Sequence, residues 1–464
     1  MPAVHDAPVP GNLRRVEPRE VNLTLDFCLK VGELLLSSGA GAADVVATMR
    51  TLSRHLGLRN AEVDVTFVNL EMAYQESPEA VPVLLTRQVK QRTIDYEDLT
   101  RVDHLVRAVL RDEADLKAAR AELGRIRSTG HGRRRWAISV GLAVMAAGVA
   151  LQLGGELAVV LLAGVAALII DRLQGLMSRR RVPVFYQQVA AAGVASLLAV
   201  CVSVPFDLEV STAITANIVV LLAGLGFMGA LQDALTGFYI TAGARITEVL
   251  LSTAGIIGGV SAGIAMARMV GLHLPPIDPG AVDLRSVSRA LTGAAIGAAA
   301  FAYASYGPRR TLLPIALVAA AAEGIALGFP EEFGGTWAVA GAAFFVGLVS
   351  YSVSGRLRVP PLVIVVPAVV PLLPGISIYR GLTLLGAHGN EDASRGLLAM
   401  FAAASIAVAL ASGVIFGEYV AQPLGREARR VESRLAGPRL VGPLRARTTR
   451  RSRRERRKRL VPRP

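Results

Sequence analysis

The sequence predicts an α-helical polytopic membrane protein, with ten transmembrane helices in two inverted five-span repeats behind a small mixed α/β cytosolic domain. Three observations carry that expectation. Of 464 residues, 52% are hydrophobic and the mean hydropathy is +0.47, too apolar for an ordinary soluble protein. From Trp136 onward, apolar segments recur with only short polar breaks. Lysine and arginine fall unevenly between alternate connecting loops.

Residues 1–130 read as the α/β domain. "LTLDFCLKVGELLLSSG" and "AADVVATMRTLSRHLGL" place apolar residues at helical spacing, the second closing on Gly57 as a C-cap would. "EVDVTFVNLEMAYQ" alternates Val63, Val65 and Phe67 with polar neighbours, and "VPVLLTRQVKQRTI" is a second strand candidate. "YEDLTRVDHLVRAVLRDEADLKAARAELGRIRS" returns to helix with charged faces. The first 20 residues contain no apolar core of a signal peptide, so the N-terminus is expected in the cytosol. His55, His104, Asp64, Glu71 and Asp95 match no metal-ligand spacing, and neither a nucleophile elbow nor a phosphate loop is present; no metal or cofactor is expected.

Ten spans follow, at 136–155, 157–171, 183–204, 213–232, 246–270, 287–306, 311–329, 336–355, 361–385 and 395–421. The second is short, since about 20 residues cross a bilayer. The first five belong to a half at 131–285 and the rest to a half at 286–421, leaving 422–464 as a disordered basic tail. With the N-terminus inside, the cytoplasmic loops hold twelve arginines: 133–135, 172, 179–181, 245, 309, 310, 356 and 358. The opposite loops hold only Arg285 and Arg395, so both termini are placed in the cytoplasm of a plasma-membrane protein. The halves begin 151 residues apart, at 136 and 287, and Gly224 lies 151 residues before Gly375, each in the fourth span of its half. An odd number of spans per half makes the halves face opposite ways, an architecture in which substrate sits where spans are broken by Gly or Pro.

The net charge of +14 resembles that of a nucleic-acid binder until it is located. From Arg426 onward 16 Lys and Arg stand against three Glu, a net +13. Beside the last span that run reads as a tail held to anionic lipid, with no nucleic-acid partner. A homo-oligomer is compatible with the pattern. Cys28 and Cys201, the only cysteines, fall in different compartments, so no disulfide is expected.

Polar residues inside or beside the spans mark the candidate site. In "TANIVVLLAGLGFMGALQDALTGFYITAGARITEVL", Asn217 precedes a glycine cluster, and Gln232, Asp233, Thr236, Arg245 and Glu248 follow around the junction of spans four and five. A discontinuous element around a polar cavity and a plain loop with a surface ion pair both fit this stretch. The matching region, "PPLVIVVPAVVPLLPGISIYRGL", has Pro367, Pro371 and Pro374 in one span, and each proline removes a donor and clashes with the preceding turn. A broken span there frees helix ends near Gly375, Ser377, Tyr379 and Arg380 for the carboxylate and ammonium of an amino acid. Glu323 lies well inside span seven, where a charged carboxylate costs about 3 kcal/mol. It is the preferred proton-coupling candidate, with Asp233 second.

Three stretches, "LLLSSGAGAADVVATMRTLSRHLGL", "GFMGALQDALTGFYITAGARITEVLL" and "PAVVPLLPGISIYRGL", resemble in this order the signature regions of the threonine/serine exporter family. The resemblance covers about Val21 to Val420 and includes the layout of a cytosolic domain followed by ten spans. It implies export of L-threonine and L-serine driven by the proton motive force, with no enzymatic activity. Relatives divided into two polypeptides are linked to succinate export, so a small dicarboxylate is the alternative substrate; a membrane-anchored enzyme or sensor acting through the N-terminal domain is the alternative of another class. One departure is local: where the family often has a Thr-x-x-Glu-like pattern after "SGA", this chain reads Ala-Asp-Val-Val at 43–46.

Overall fold

The computed structural model describes residues 18–90, 92–203, 206, 210–218, 221, 224–269, 284–329, 334–373, 381, 384 and 390–432. The N-terminal elements are α1 (Pro18–Ser37), α2 (Ala42–His55), β1 (Glu62–Thr66), β2 (Asn69–Tyr74), β3 (Val83–Gln88), α3 (Tyr96–Leu110) and α4 (Leu116–Thr129). The strands form an antiparallel sheet in the order β1-β2-β3, with Val65 opposite Leu70 and Met72 opposite Leu85. Residues 62–75, expected as one strand, are instead a hairpin that turns at Phe67, whose φ is 55°. The physical reason is visible in the alternation. Buried positions are odd in β1 (Val63, Val65) and even in β2 (Leu70, Met72), whereas a regular strand keeps its buried positions at one parity. Leu25, Phe27, Val31 and Leu35 of α1 meet Val45, Met49 and Leu52 of α2 and Leu70 and Met72 of the sheet in one dry core. Asp95 caps α3 by accepting from the amides of Glu97 and Asp98 at 3.1 and 3.0 Å.

The rest of the described chain is helical: α5 (Arg135–Gln152), α6 (Leu157–Arg179), α7 (Val184–Ser203), α8 (Val210–Ile218), α9 (Gly224–Leu235), α10 (Tyr239–Met269), α11 (Leu284–Ala304), α12 (Arg309–Gly328), α13 (Gly334–Leu357), α14 (Leu362–Val369) with a 3-10 turn at Val370–Leu372, and α15 (Asn390–Glu432). Among the described residues eight helices are long and apolar enough to cross a membrane: α5, α6, α7, α10, α11, α12, α13 and α15. The chain is thus a polytopic membrane protein. Exposed side chains agree, since α6 turns Leu157, Leu161, Val165 and Ile169 outward on one stripe while burying Val159, Ala163, Ala166 and Ile170. Such an apolar face has lipid as its natural solvent.

Two boundaries differ from expectation. The second span is not short: α6 has 23 residues, because the sequence "DRLQGLMSR" continues the helix beyond the apolar stretch. The fifth begins at Tyr239 rather than 246, so Arg245 and Glu248 lie inside a helix rather than at its first turn. The expected spans 213–232 and 361–385 are the two outside the set of eight. The first coincides with α8 and α9; the second starts as α14, which holds Pro367 and passes into the 3-10 turn carrying Pro371.

Helix contacts follow one order in each part. α5 packs on α6, α6 on α7 and α7 on α10; α11 packs on α12, α12 on α13 and α13 on α15. α5 and α11 join the two sets through glycine, where a Cβ on Gly148 would lie 2.6 Å from the backbone nitrogen of Gly297. Gly148→Ala is therefore expected to push these helices apart at a cost of about 1–3 kcal/mol. A lower thermal midpoint of the purified protein checks this; an unchanged midpoint contradicts the close packing.

Candidate functional site

Asp233 is the centre of the best-defined polar site. It lies in the last turn of α9, 1% exposed, and its Oδ2 pairs with Arg245 Nη1 of α10 at 2.6 Å. Its Oδ1 accepts from the backbone amide of Ala42 at 2.9 Å. That amide opens α2, whose N-cap is Gly41, a residue with no side chain to offer. Asp233 therefore caps a helix 191 residues away in sequence and answers both the positive helix end and Arg245.

The hairpin turn docks beside it. Thr241 of α10 accepts from the Phe67 amide at 3.0 Å and donates to the Val65 carbonyl at 3.2 Å. Arg92 lies over the Phe67 ring at 5.5 Å and donates to its carbonyl at 3.1 Å. Burial lowers the Arg92 guanidinium to about 10; Arg245 adds to that fall, while Asp233 and Glu248 oppose it. The N-terminal elements also reach the second set of helices: the Tyr96 amide donates to Ser305 O at 3.0 Å, and His104 Nε2 donates to Arg358 O at 2.8 Å.

A second polar contact lies elsewhere in the bundle. Glu323, on α12 and 9% exposed, hydrogen-bonds to Gln152, the last residue of α5. The Gln152 Nε2 also donates to the Pro371 carbonyl of the 3-10 turn at 2.8 Å. Glu323 is thus one side chain away from the interrupted segment. It lies 14 residues along α12 from Arg309, about 21 Å of helix rise.

The expected residues divide three ways. Asp233 and Arg245 come together; Glu248 is exposed on α10 and acts on them only through its charge near Arg92; Gln232 and Thr236 belong to the same end of α9, where Thr236 Oγ1 donates to Gln232 O at 2.8 Å. Asn217 is separate from them, fully buried in α8 with Nδ2 on Ala195 O at 3.0 Å, a contact that ties α8 to α7. Pro374, Gly375, Ser377, Tyr379 and Arg380 lie outside the described residues, as does the tail beyond Glu432.

Four contributors went unread in the sequence: Gln152, Arg92, Thr241 and Glu418. Glu418, on α15, is 8% exposed, and the depth criterion that singled out Glu323 would have found it. The two cysteines are free, Cys28 buried and Cys201 exposed. Asp95, Asp98 and His131 place potential ligand atoms within 4.8 Å of one another. Asp95 is already engaged there, one oxygen on the α3 amides and the other on His131 Nε2 at 2.8 Å, while the imidazole stacks on Tyr306.

Comparison with known proteins bears on this arrangement. A family model described as "Putative threonine/serine exporter" matches residues 26–267, and one described as "Threonine/Serine exporter, ThrE" matches residues 290–420. The "Probable threonine/serine exporter" of Mycobacterium tuberculosis is 32% identical over 444 residues, covering 93% of this chain and 84% of that protein. The "Threonine/serine exporter" of Corynebacterium glutamicum is 30% identical over 437 residues, covering 92% and 89%. No solved structure matches the chain significantly.

Proposed function

The chain belongs to the threonine/serine exporter family, a family of transporters rather than enzymes, and from that premise we propose that it carries L-threonine and L-serine out of the cytoplasm in exchange for protons. The transport unit is two inverted five-span halves, α5–α10 and α11–α15, that rock about the α5–α11 contact. Residues 1–130 form a cytosolic domain and both termini are cytoplasmic. Three features support this reading: the shared contact order of the two helix sets, the passage of α14 into a 3-10 turn at Val370–Leu372, and the gap between the matched segments at 268–289.

The observation that carries it is a pair of buried carboxylates, one where α9 ends and one beside the Pro371 turn. Asp233, with Arg245, closes α9 on the side of the cytosolic domain; Glu323 adjoins the Pro371 turn toward the opposite end. In this scheme substrate loads at Asp233, Arg245 and Glu248, with Gln232 and Thr236 beside them. The segment with Pro374, Gly375, Ser377, Tyr379 and Arg380 completes the pathway, Asn217 fixes the first half, and Glu323 takes the incoming proton. The basic tail rests on anionic lipid, and assembly into a homo-oligomer fits the scheme. Removing residues 426–464 is expected to leave transport intact and weaken binding to anionic vesicles.

Proteoliposomes preloaded with L-threonine, L-serine or succinate test the assignment. Threonine and serine should leave faster than from protein-free vesicles, and succinate should not. Succinate efflux without that of either amino acid would replace the proposed substrate.

A further inference from the structure

Where α2 meets α9, against which α15 packs, more acidic groups are gathered than the structure pairs. Asp44 occupies the first turn of α2, three residues after the Gly41 cap. It lies within electrostatic reach of both Glu418 and Asp233, so three carboxylates from three elements address one locus. Arg245 answers Asp233, and Arg92 lies within its electrostatic reach. Among the described residues neither Asp44 nor Glu418 has an ion pair or a hydrogen bond, although Glu418 is more than nine-tenths buried. Thr48, one turn beyond Asp44 on the same face of α2, is fully buried with an Oγ1 that has no hydrogen-bond partner. Desolvation, and after it the charges of Glu418 and Asp233, hold the Asp44 carboxyl well above the usual carboxylate range. Buried groups of this kind are costly unless something meets them.

Next to this acidic side is a site already shown to take a carboxylate: the α2 N-terminus with Arg245, now filled by the side chain of Asp233. The residues there are small, Gly41, Ala42 and Ala43, and among the described residues, apart from its chain neighbours, the only atom within 4 Å of a Cβ built on Gly41 is Asp233 Oδ1. Carboxylate recognition on one side and unanswered carboxylates on the other match the two ends of a zwitterion.

We propose that the junction of α2 with α9 and α15 is the loading site for the zwitterionic amino acid: the substrate carboxylate displaces that of Asp233 from the α2 N-terminus, and its ammonium is held by Glu418, Asp44 and the released Asp233. This rests on the exporter reading and gives the cytosolic domain a direct part in it, because Asp44 and the α2 amides are half of the site. Thr48, whose Oγ1 has no partner one turn along α2, is available to a substrate hydroxyl. A dicarboxylate brings no ammonium to meet the three acids and should bind there less well.

The test uses full-length purified protein and radiolabelled L-threonine, with efflux measured in parallel in proteoliposomes. Glu418→Gln and Asp44→Asn should each weaken equilibrium binding about tenfold or more, the loss of a charge-assisted contact. A hydrophobic carbodiimide should label Glu418 in the unsubstituted protein, read by peptide mass, and saturating threonine should protect it; this measurement stands even if a substituted protein does not fold. Unprotected labelling, or unchanged affinity in both variants while the unsubstituted protein exports threonine, would overturn the loading site and leave the exporter reading in place. Unsubstituted protein that neither binds nor exports threonine or serine would overturn both.

Discussion

Asp233→Asn is expected to cut threonine efflux from correctly folded, reconstituted protein by about 10- to 150-fold, the equivalent of a hydrogen bond to a charged group worth about 1.5–3 kcal/mol. The amide can still accept from the Ala42 backbone through its oxygen, so the cap on α2 survives in part. What it cannot do is answer Arg245, whose side chain is 13% exposed and has Asp233 as its 2.6 Å partner. An uncompensated buried charge of this sort costs about 3–5 kcal/mol of stability. The thermal midpoint should therefore fall as well, and transport is to be compared per folded molecule. Asp233→Glu restores the charge with one added methylene and should recover more efflux than Asp233→Asn. Equal efflux in the two variants would mean that the charge at 233 has no part in transport.

Glu323→Gln should act on coupling. The replacement amide keeps the size of the side chain and can still hydrogen-bond Gln152, so the contact among α5, α12 and the Pro371 turn is preserved. It cannot gain or lose a proton. Efflux down a threonine gradient should persist, while the acceleration produced by an imposed proton gradient should disappear. Variants that remain gradient-driven would move proton coupling elsewhere, first to Glu418, the other carboxyl buried within a candidate span.

Much of the architecture was legible because membrane solvation writes a strong pattern. Long apolar helices must satisfy their own backbone and face lipid, so α5, α6, α7 and α10 to α13 fall close to the stretches that hydropathy marks. Pro371 likewise falls where α14 gives way to a 3-10 turn, whereas Pro367 is held inside the helix. Asp233 and Arg245 stood out because charge beside apolar spans is costly, and the structure pairs them. Their third partner could not be read: the Ala42 amide that binds Asp233 is a backbone group, identical in every non-proline residue, and only tertiary packing brings it there. Arg92 and Thr241 were hidden for the same reason, as ordinary loop and helix residues until the Phe67 turn docks between them. The hairpin at 62–74 was legible in principle, in the parity change between Val65 and Leu70, but a run of apolar alternation without Gly or Asn-Gly at its centre reads as one strand.

The central claim is that proton movement drives the amino acid outward, and the most direct measurement is threonine efflux from proteoliposomes with and without an imposed proton gradient. The account predicts efflux accelerated by protons entering against the outgoing amino acid, accompanied by measurable proton uptake, and slowed when an ionophore collapses the gradient. Threonine efflux at the same rate with and without the gradient, and with no proton movement, would contradict it.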